Sequence, residues 1–463
     1  MAKSGYRMFL KGIVIFVACL AGGSAVAEDV VTVDTHTVLR TLSGNPIGIN
    51  FNYLRDDNHN RPAGSPSIQS IMKQMNIQWV RYPGGEKSDW HFFSTPPYTK
   101  ADPKVLAYNK DYGEYYDLVN NQDVLDFDEY MQYLREFAGR AYIVVPYEPY
   151  KRSNKTKKEF IEHAVAWVRY ANIQKNYGVM YWEIGNENWG NTGTAAEIAQ
   201  VAKEFAQAMK AIDPNIKVGC SGNSRQWFET LLDVAGEELD FVTVSNYCRL
   251  KDFEYYRSTE NVILDGSARN AAQPLNSVKV IVAEFGAVTW SKTWPDNNDL
   301  GHAIVSFDIA GQLLCNNSVE CAMLWGTRYM EGELEKNWYA LGNRNEILPA
   351  GRPLAIWGRF LKSKMVQASG PVYSRCFASF DPRTQTLTVF VINKDTAVRR
   401  IRIEVGATSD FRKADIYHFV GTGEADMKPT WSKIATMDVS TNILDDVELR
   451  GTSITVIDMR ASD

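Results

Sequence analysis

From Ile47 onward, short apolar runs alternate with stretches in which apolar residues recur every three or four positions. The runs are 47–51, 77–82, 141–146, 179–184, 216–220, 241–245, 278–283 and 319–325, most of them rich in Val and Ile, as buried parallel strands require. The stretches between them predict helices over 66–75, 127–137, 157–175, 195–212, 227–235 and 302–315, with a closing helix over 354–361. Ser65 is the expected N-cap of the first, and Pro66 its first helical residue. Eight strand candidates alternating with helices predict a (β/α)₈ barrel, placed over 44–365.

Beyond about Ser369 the period changes. Short strands such as Thr386–Ile392, Ile401–Val405 and Thr452–Ile457 predict an all-β sandwich over 366–463. The alternating segment 28–43 precedes any barrel strand and is expected to join that sandwich, since it has no other sheet to pair with. Ser88–Gln122, rich in Tyr, Pro and Asp, reads as one long loop, and loops of that length usually serve a function.

The first 27 residues read as a targeting segment. Lys3, Arg7 and Lys11 make a basic start, Gly12–Leu20 is apolar but too short to span a bilayer, and Ala25-Val26-Ala27 fits a cleavage site. The expectation is a secreted or periplasmic protein, free of the membrane unless lipidated at Cys19, the lesser alternative.

Composition narrows the function. Of 463 residues, 45% are hydrophobic and 23% charged, and a net charge of −5 offers no basic footprint for nucleic acid. Six scattered histidines without an H-E-x-x-H pattern give no metal site, and no cofactor is expected. Five cysteines follow the targeting segment; Cys315–Cys321 is the nearest pair for a disulfide, and buried free thiols are the other reading. Twelve Trp and 23 Tyr are a rich aromatic supply, much of it simply core, of which a carbohydrate binder would need some to face sugar rings.

Candidate chemistry lies at the strand ends, where barrel active sites form. Glu187 ends the fourth strand candidate, flanked by Trp182 and Trp189, and Glu284 ends the seventh. Two carboxylates facing each other across a barrel mouth are what glycoside hydrolysis needs, one to protonate the leaving oxygen and one to attack. A carboxyl in an apolar, aromatic setting keeps its proton near neutral pH, which suits Glu187 as the acid/base. Glu183, four residues earlier, is expected to point the same way by strand alternation, one layer deeper, as a structural partner of Arg81. Glu148 after the third strand is a substrate contact or a structural acid; Trp189, Trp290 and Trp294 are platform candidates or packing. A non-catalytic carbohydrate-binding protein would keep the tryptophans but need neither glutamate, and a lyase would want a base beside a cation that this pattern does not offer.

The Asn186-Glu187 pair and the strand-end Glu284, together with Arg81-Tyr82-Pro83-Gly84-Gly85, resemble the clan A retaining glycoside hydrolases, in particular the arabinofuranosidase and heparanase-like families. The resemblance implies Glu187 as acid/base and Glu284 as nucleophile, with their carboxyl groups about 5–5.5 Å apart. It also implies that Asn186 binds the sugar 2-hydroxyl, that Tyr247 donates to Glu284, that Arg81 lies beneath Glu284, and that Trp325 floors the sugar site. Arg81 reads equally as a buried structural ion pair. The arabinofuranosidase pattern has a Glu after its first strand and Asn-Glu-Met-Asp-Gly at the acid/base; this chain has Asn50-Phe51-Asn52 and Asn186-Glu187-Asn188-Trp189-Gly190. Both an arabinofuranosidase-like and an endo-acting, agarase-like activity on a plant or algal polysaccharide or oligosaccharide therefore stay open.

Overall fold

A computed structural model describes residues 29–92, 104–105, 123–147, 155–190, 193–248, 250–260, 262, 278–289, 292–329, 334–407 and 409–461. Eight parallel strands close into a barrel: β2 (Ile47–Asn50), β3 (Trp79–Tyr82), β6 (Arg140–Val145), β7 (Tyr181–Ile184), β8 (Lys217–Ser221), β9 (Phe241–Tyr247), β10 (Lys279–Gly286) and β11 (Val319–Leu324). Ala322, Met323 and Leu324 of β11 pair with Ile47, Gly48 and Ile49 of β2 and complete the ring. Between β3 and β6, His91–Phe92 (β4) and Lys104–Val105 (β5) form a two-stranded ribbon within the predicted long loop.

Helices cover the barrel, and their starts follow local capping chemistry. Asp126, Thr156 and Thr194 each accept from the backbone three residues on, while Glu129, Glu159 and Glu197 reach back, three capping boxes in which orphan N–H groups are satisfied. The first helix runs Ile68–Gln74 and is capped by Ser67, not Ser65, because the Ser67 hydroxyl reaches the N–H of Ser70. The predicted 157–175 helix is α-helical over Lys157–Val168 and continues as a π-helical segment over Arg169–Gln174.

The other sheet has nine strands. β1 (Asp29–Thr41) lies between β12 (Lys364–Ser369), to which it is antiparallel, and β15 (Arg399–Gly406), to which it is parallel. The order is completed by β13 (Ser374–Asp381), β14 (Thr386–Asn393), β16 (Lys413–Val420), β17 (Thr430–Asp438), β18 (Ile443–Leu449) and β19 (Ser453–Arg460), running β17-β16-β19-β14-β13-β12-β1-β15-β18. Residues from both ends, such as Ile416 and Ile457 with Ile401 and Val447, share one core, so this continuous sheet folds over itself like a sandwich. Phe307 and Trp357 on barrel helices stack at 4.6 Å, and Phe390 of β14 joins them at 4.3 Å, fixing the sheet to the barrel.

The five cysteines beyond the targeting segment are free thiols, so Cys315 and Cys321 are not bridged. Among the described residues no helix is long and apolar enough to cross a membrane. The predicted targeting segment, residues 1–27, lies outside the described residues.

Candidate active site

Alternation along the barrel strands decides what faces inward. Trp79, Tyr142, Val144, Tyr181, Phe241, Cys321 and Met323 pack together inside the barrel, while neighbours such as Val80, Ile143, Trp182, Val242 and Leu324 pack outward under the helices. Counting by twos from the inner set puts Arg81, Glu183, Thr243 and Trp325 inside as well, one layer nearer the C-terminal mouth.

Arg81 is the hub of that layer. Its guanidinium donates from Nε to Glu183 Oε2 at 2.9 Å, from Nη1 to Glu284 Oε1 at 2.8 Å and Asn50 Oδ1 at 3.1 Å, and from Nη2 to Asn186 Oδ1 at 2.7 Å. Burial works against its charge, but Glu183 and then Glu284 outweigh that and hold its pKa above the ordinary value. Glu183 also accepts from Thr243 Oγ1 at 2.7 Å; burial pushes its pKa up against the pull of Arg81. Asn50, at the end of β2, turns its amide to the carbonyls of Ala283 and Leu324 and so ties the first strand to the seventh and eighth.

Glu284 faces inward for a reason that alternation alone would deny. Ile281 belongs to the inner cluster and Val282 to the outer, so a regular strand would turn Glu284 out. The register slips between Val282 and Glu284, which pair with the consecutive residues Val244 and Ser245, and the resulting bulge at Ala283 re-aims Glu284 into the barrel. There both carboxyl oxygens are acceptors: Oε1 of Arg81, and Oε2 of the Tyr247 hydroxyl at 2.5 Å. Burial, then the charge of Glu284, keeps the Tyr247 hydroxyl protonated far above its ordinary range.

Glu187 does not ride on a strand. β7 ends at Ile184, and Glu187 lies in the following turn with φ of 43°, after Gly185 at φ of 64°. A side chain at Gly185 would put Cβ 2.3 Å from Oδ1 of Asn188, so the tight turn needs the glycine. The strand-alternation argument that paired Glu183 with Glu187 therefore does not apply, although both face the site. Burial and the nearby charge of Glu284 push Glu187 up to about 7, against hydrogen bonding from Ser245 and the charge of Arg81. Asn186 offers its amide oxygen to Arg81 and its backbone N–H to Asp89 Oδ1 at 3.0 Å.

The aromatic candidates separate. Trp325 follows β11 at the mouth, half-buried, against Gly85; a Cβ on Gly85 would come within 2.0 Å of its ring. Trp189 is half-buried in the Glu187 turn. Trp182 is fully buried and packs outward, edge-on to Trp167 at 6.0 Å, so it is barrel core and does not flank Glu187. Trp294 stacks on His302 at 4.0 Å and is packing. Glu148 and Trp290 lie outside the described residues. Among the described residues, no group of three or more His, Cys, Asp or Glu converges as metal ligands.

Asn50, Thr243, Ser245, Asp89 and Lys87 were not singled out from sequence. The first three could have been found by extending alternation to the last residues of each apolar run. Asp89 and Lys87 lie on a short 3₁₀ turn, Glu86–Trp90, that carries no periodic signal.

An alpha-L-arabinofuranosidase domain model matches residues 71–263. The chain is 29% identical over 189 residues to "Probable alpha-L-arabinofuranosidase C" of Aspergillus clavatus, a match covering 36% of this chain and 33% of that one. It is 24% identical over 224 residues to an intracellular exo-alpha-(1->5)-L-arabinofuranosidase of Acetivibrio thermocellus, covering 44% and 41%. The matches thus span a third to two fifths of these relatives' length. Among solved structures, an alpha-L-arabinofuranosidase from Thermotoga maritima in complex with arabinose superposes with a TM-score of 0.73 at 18% identity, over 93% of this chain and 100% of that one. A Paenibacillus polymyxa xyloglucanase from Glycoside Hydrolase Family 44 superposes at 0.65 and 12%, over 94% and 100%. The fold and the family model together make this a chain that resembles the clan A glycoside hydrolases. Within that clan, its likeness runs to the arabinofuranosidases.

Proposed function

We propose that the protein is a retaining glycoside hydrolase of arabinofuranosidase-like kind, acting on a plant or algal polysaccharide or an oligosaccharide derived from it. The observation that carries this is the unequal setting of two glutamates from the fourth and seventh strand ends. Glu284 accepts from Arg81 and Tyr247 through its two oxygens, while Glu187 has its pKa raised to about 7. A carboxyl that keeps its proton near neutral pH suits the acid, and one hydrogen-bonded through both oxygens at the opposite strand end suits the nucleophile.

In this reading Glu284 attacks the anomeric carbon as Glu187 gives its proton to the departing glycosidic oxygen. The sugar is then esterified to Glu284. Glu187, now ionised, takes a proton from water; that water attacks the anomeric carbon, and the ester bond to Glu284 breaks. Asn186 would meet the 2-hydroxyl through Nδ2, since its Oδ1 is engaged by Arg81. Trp325 and Trp189 would flank the sugar. A protein that only bound sugar would need neither the Arg81–Glu284 pair nor the raised pKa of Glu187.

The test is hydrolysis of a panel of aryl glycosides and polysaccharides. Release of arabinose from aryl α-L-arabinofuranosides supports the reading. Release of oligosaccharides from a polymer such as agarose would indicate endo action, and no hydrolysis of any glycoside would refute both. We also infer export, from the basic and apolar leader ending at Ala25-Val26-Ala27. N-terminal sequencing of the mature protein should find Glu28, whereas a lipidated start at Cys19 would place it on a membrane.

A further inference from the structure

The acid–base scheme leaves one charged group at the barrel mouth without a task. Lys87 follows Gly84-Gly85 by two residues and is only 3% exposed. Among the described residues its ammonium has no hydrogen bond and no ion pair; it stands over the Trp325 ring, 4.8 Å from the centroid. Gly85, whose missing side chain admits that ring, fixes Lys87 and Trp325 as one corner of the site.

The acids around this corner are already engaged. Glu284 is the acid that acts most strongly on Lys87, followed by Asp56. Glu284 has Arg81 and Tyr247, and Asp56 has Arg328, Thr327 and the backbone N–H of Asn52. Burying an ammonium without a counter-ion is costly, and the ring face compensates only in part. A neutral hydroxyl would accept a hydrogen bond but would leave the charge uncompensated; an anionic oxygen would satisfy both needs.

We propose that Lys87 is a specificity-determining residue whose ammonium receives an anionic substituent, a carboxylate or a sulfate, of the saccharide packed against Trp325. This rests on the glycosidase reading for its placement, but its test is binding rather than turnover. Wild-type protein, K87M and K87R are titrated at low salt by calorimetry with D-galacturonate, D-galactose 6-sulfate, D-galactose and L-arabinose.

At least one anionic sugar should bind wild-type protein about tenfold or more tighter than D-galactose, a difference of about 1.4 kcal/mol. K87M should erase that preference while leaving neutral sugars within about threefold, and K87R should keep it. The two anionic probes tell carboxylate from sulfate. No anionic preference in the wild type, no binding of either anionic sugar, or equal weakening of neutral and anionic sugars in K87M overturns the proposal; the last result would make Lys87 a support for Trp325. Anionic preference in a protein that hydrolyses no glycoside would keep this proposal and refute the glycosidase reading.

Discussion

Tyr247 and Glu284 are joined across neighbouring strands by a hydrogen bond of 2.5 Å, in which the phenol donates to Oε2. The same bulge that turns Glu284 inward brings it within reach of Tyr247, two residues beyond the Ser245 with which Glu284 pairs. Hydrogen bonds to charged groups contribute about 1.5–3 kcal/mol. Tyr247→Phe should therefore lower kcat/KM for a cleavable aryl glycoside by about 10- to 100-fold while leaving the fold intact. Unchanged kinetics with unchanged melting would show that the contact has no part in turnover.

Arg81 is buried with two glutamates, and removing it would leave both without their cation. Arg81→Met should destabilise the protein by about 3–5 kcal/mol, because breaking a buried pair strands an uncompensated charge. Part of that loss should return as pH falls and the stranded carboxylates take up protons. Denaturant melts at pH 5 and pH 7.5 check this. Arg81→Lys should also fail to restore activity, since one ammonium cannot match the fork that reaches Glu183, Glu284, Asn50 and Asn186 together. An R81M variant as stable as wild type at pH 7.5 would contradict the account.

Glu187 must carry a proton to act as the acid, and its pKa is pushed up to about 7. The protonated fraction, and with it kcat/KM, should stay high below pH 7 and fall on the alkaline side through about pH 7. Glu187→Gln should remove that limb and cut kcat/KM for substrates with poor leaving groups by about 10²- to 10⁴-fold while sparing kcat/KM for activated aryl glycosides. For the latter kcat should still fall, because hydrolysis of the ester to Glu284 loses its base. A folded carboxyl with raised pKa stabilises least when ionised. Stability conferred by this group is thus present below the unfolded carboxylate range and lost as pH rises through about 7. The substituted protein should accordingly gain stability relative to wild type at pH 8 but not at pH 4. A pH profile flat from 6 to 9 would count against the assignment.

The barrel and much of its site were legible in sequence because period two is a strong signal. Arg81, Glu183 and Trp325 all fall on the inward parity of strands whose apolar residues announce them. The two candidate catalytic glutamates were legible by position but not by parity. Glu284 depends on a bulge at Ala283, and Glu187 on a turn with two positive φ angles; neither leaves a periodic trace. The tryptophans misled for a related reason. Trp182 sits next to Glu183 in sequence but on the opposite face of its strand, so proximity in the chain placed it near the acid when geometry puts it under a helix. Lys87 was invisible because its significance lies in partners it lacks among the described residues, which sequence does not express.

The central claim is that Glu187 and Glu284 act in a double displacement with retention at the anomeric carbon. The direct measurement is proton NMR of the first sugar released from an aryl glycoside that the protein cleaves, recorded before mutarotation. The account predicts that the initial product has the same anomeric configuration as the substrate, and that Glu284→Gln abolishes its appearance by more than about 10⁴-fold. An initial product of inverted configuration, or turnover by Glu284→Gln at the wild-type rate, would contradict it.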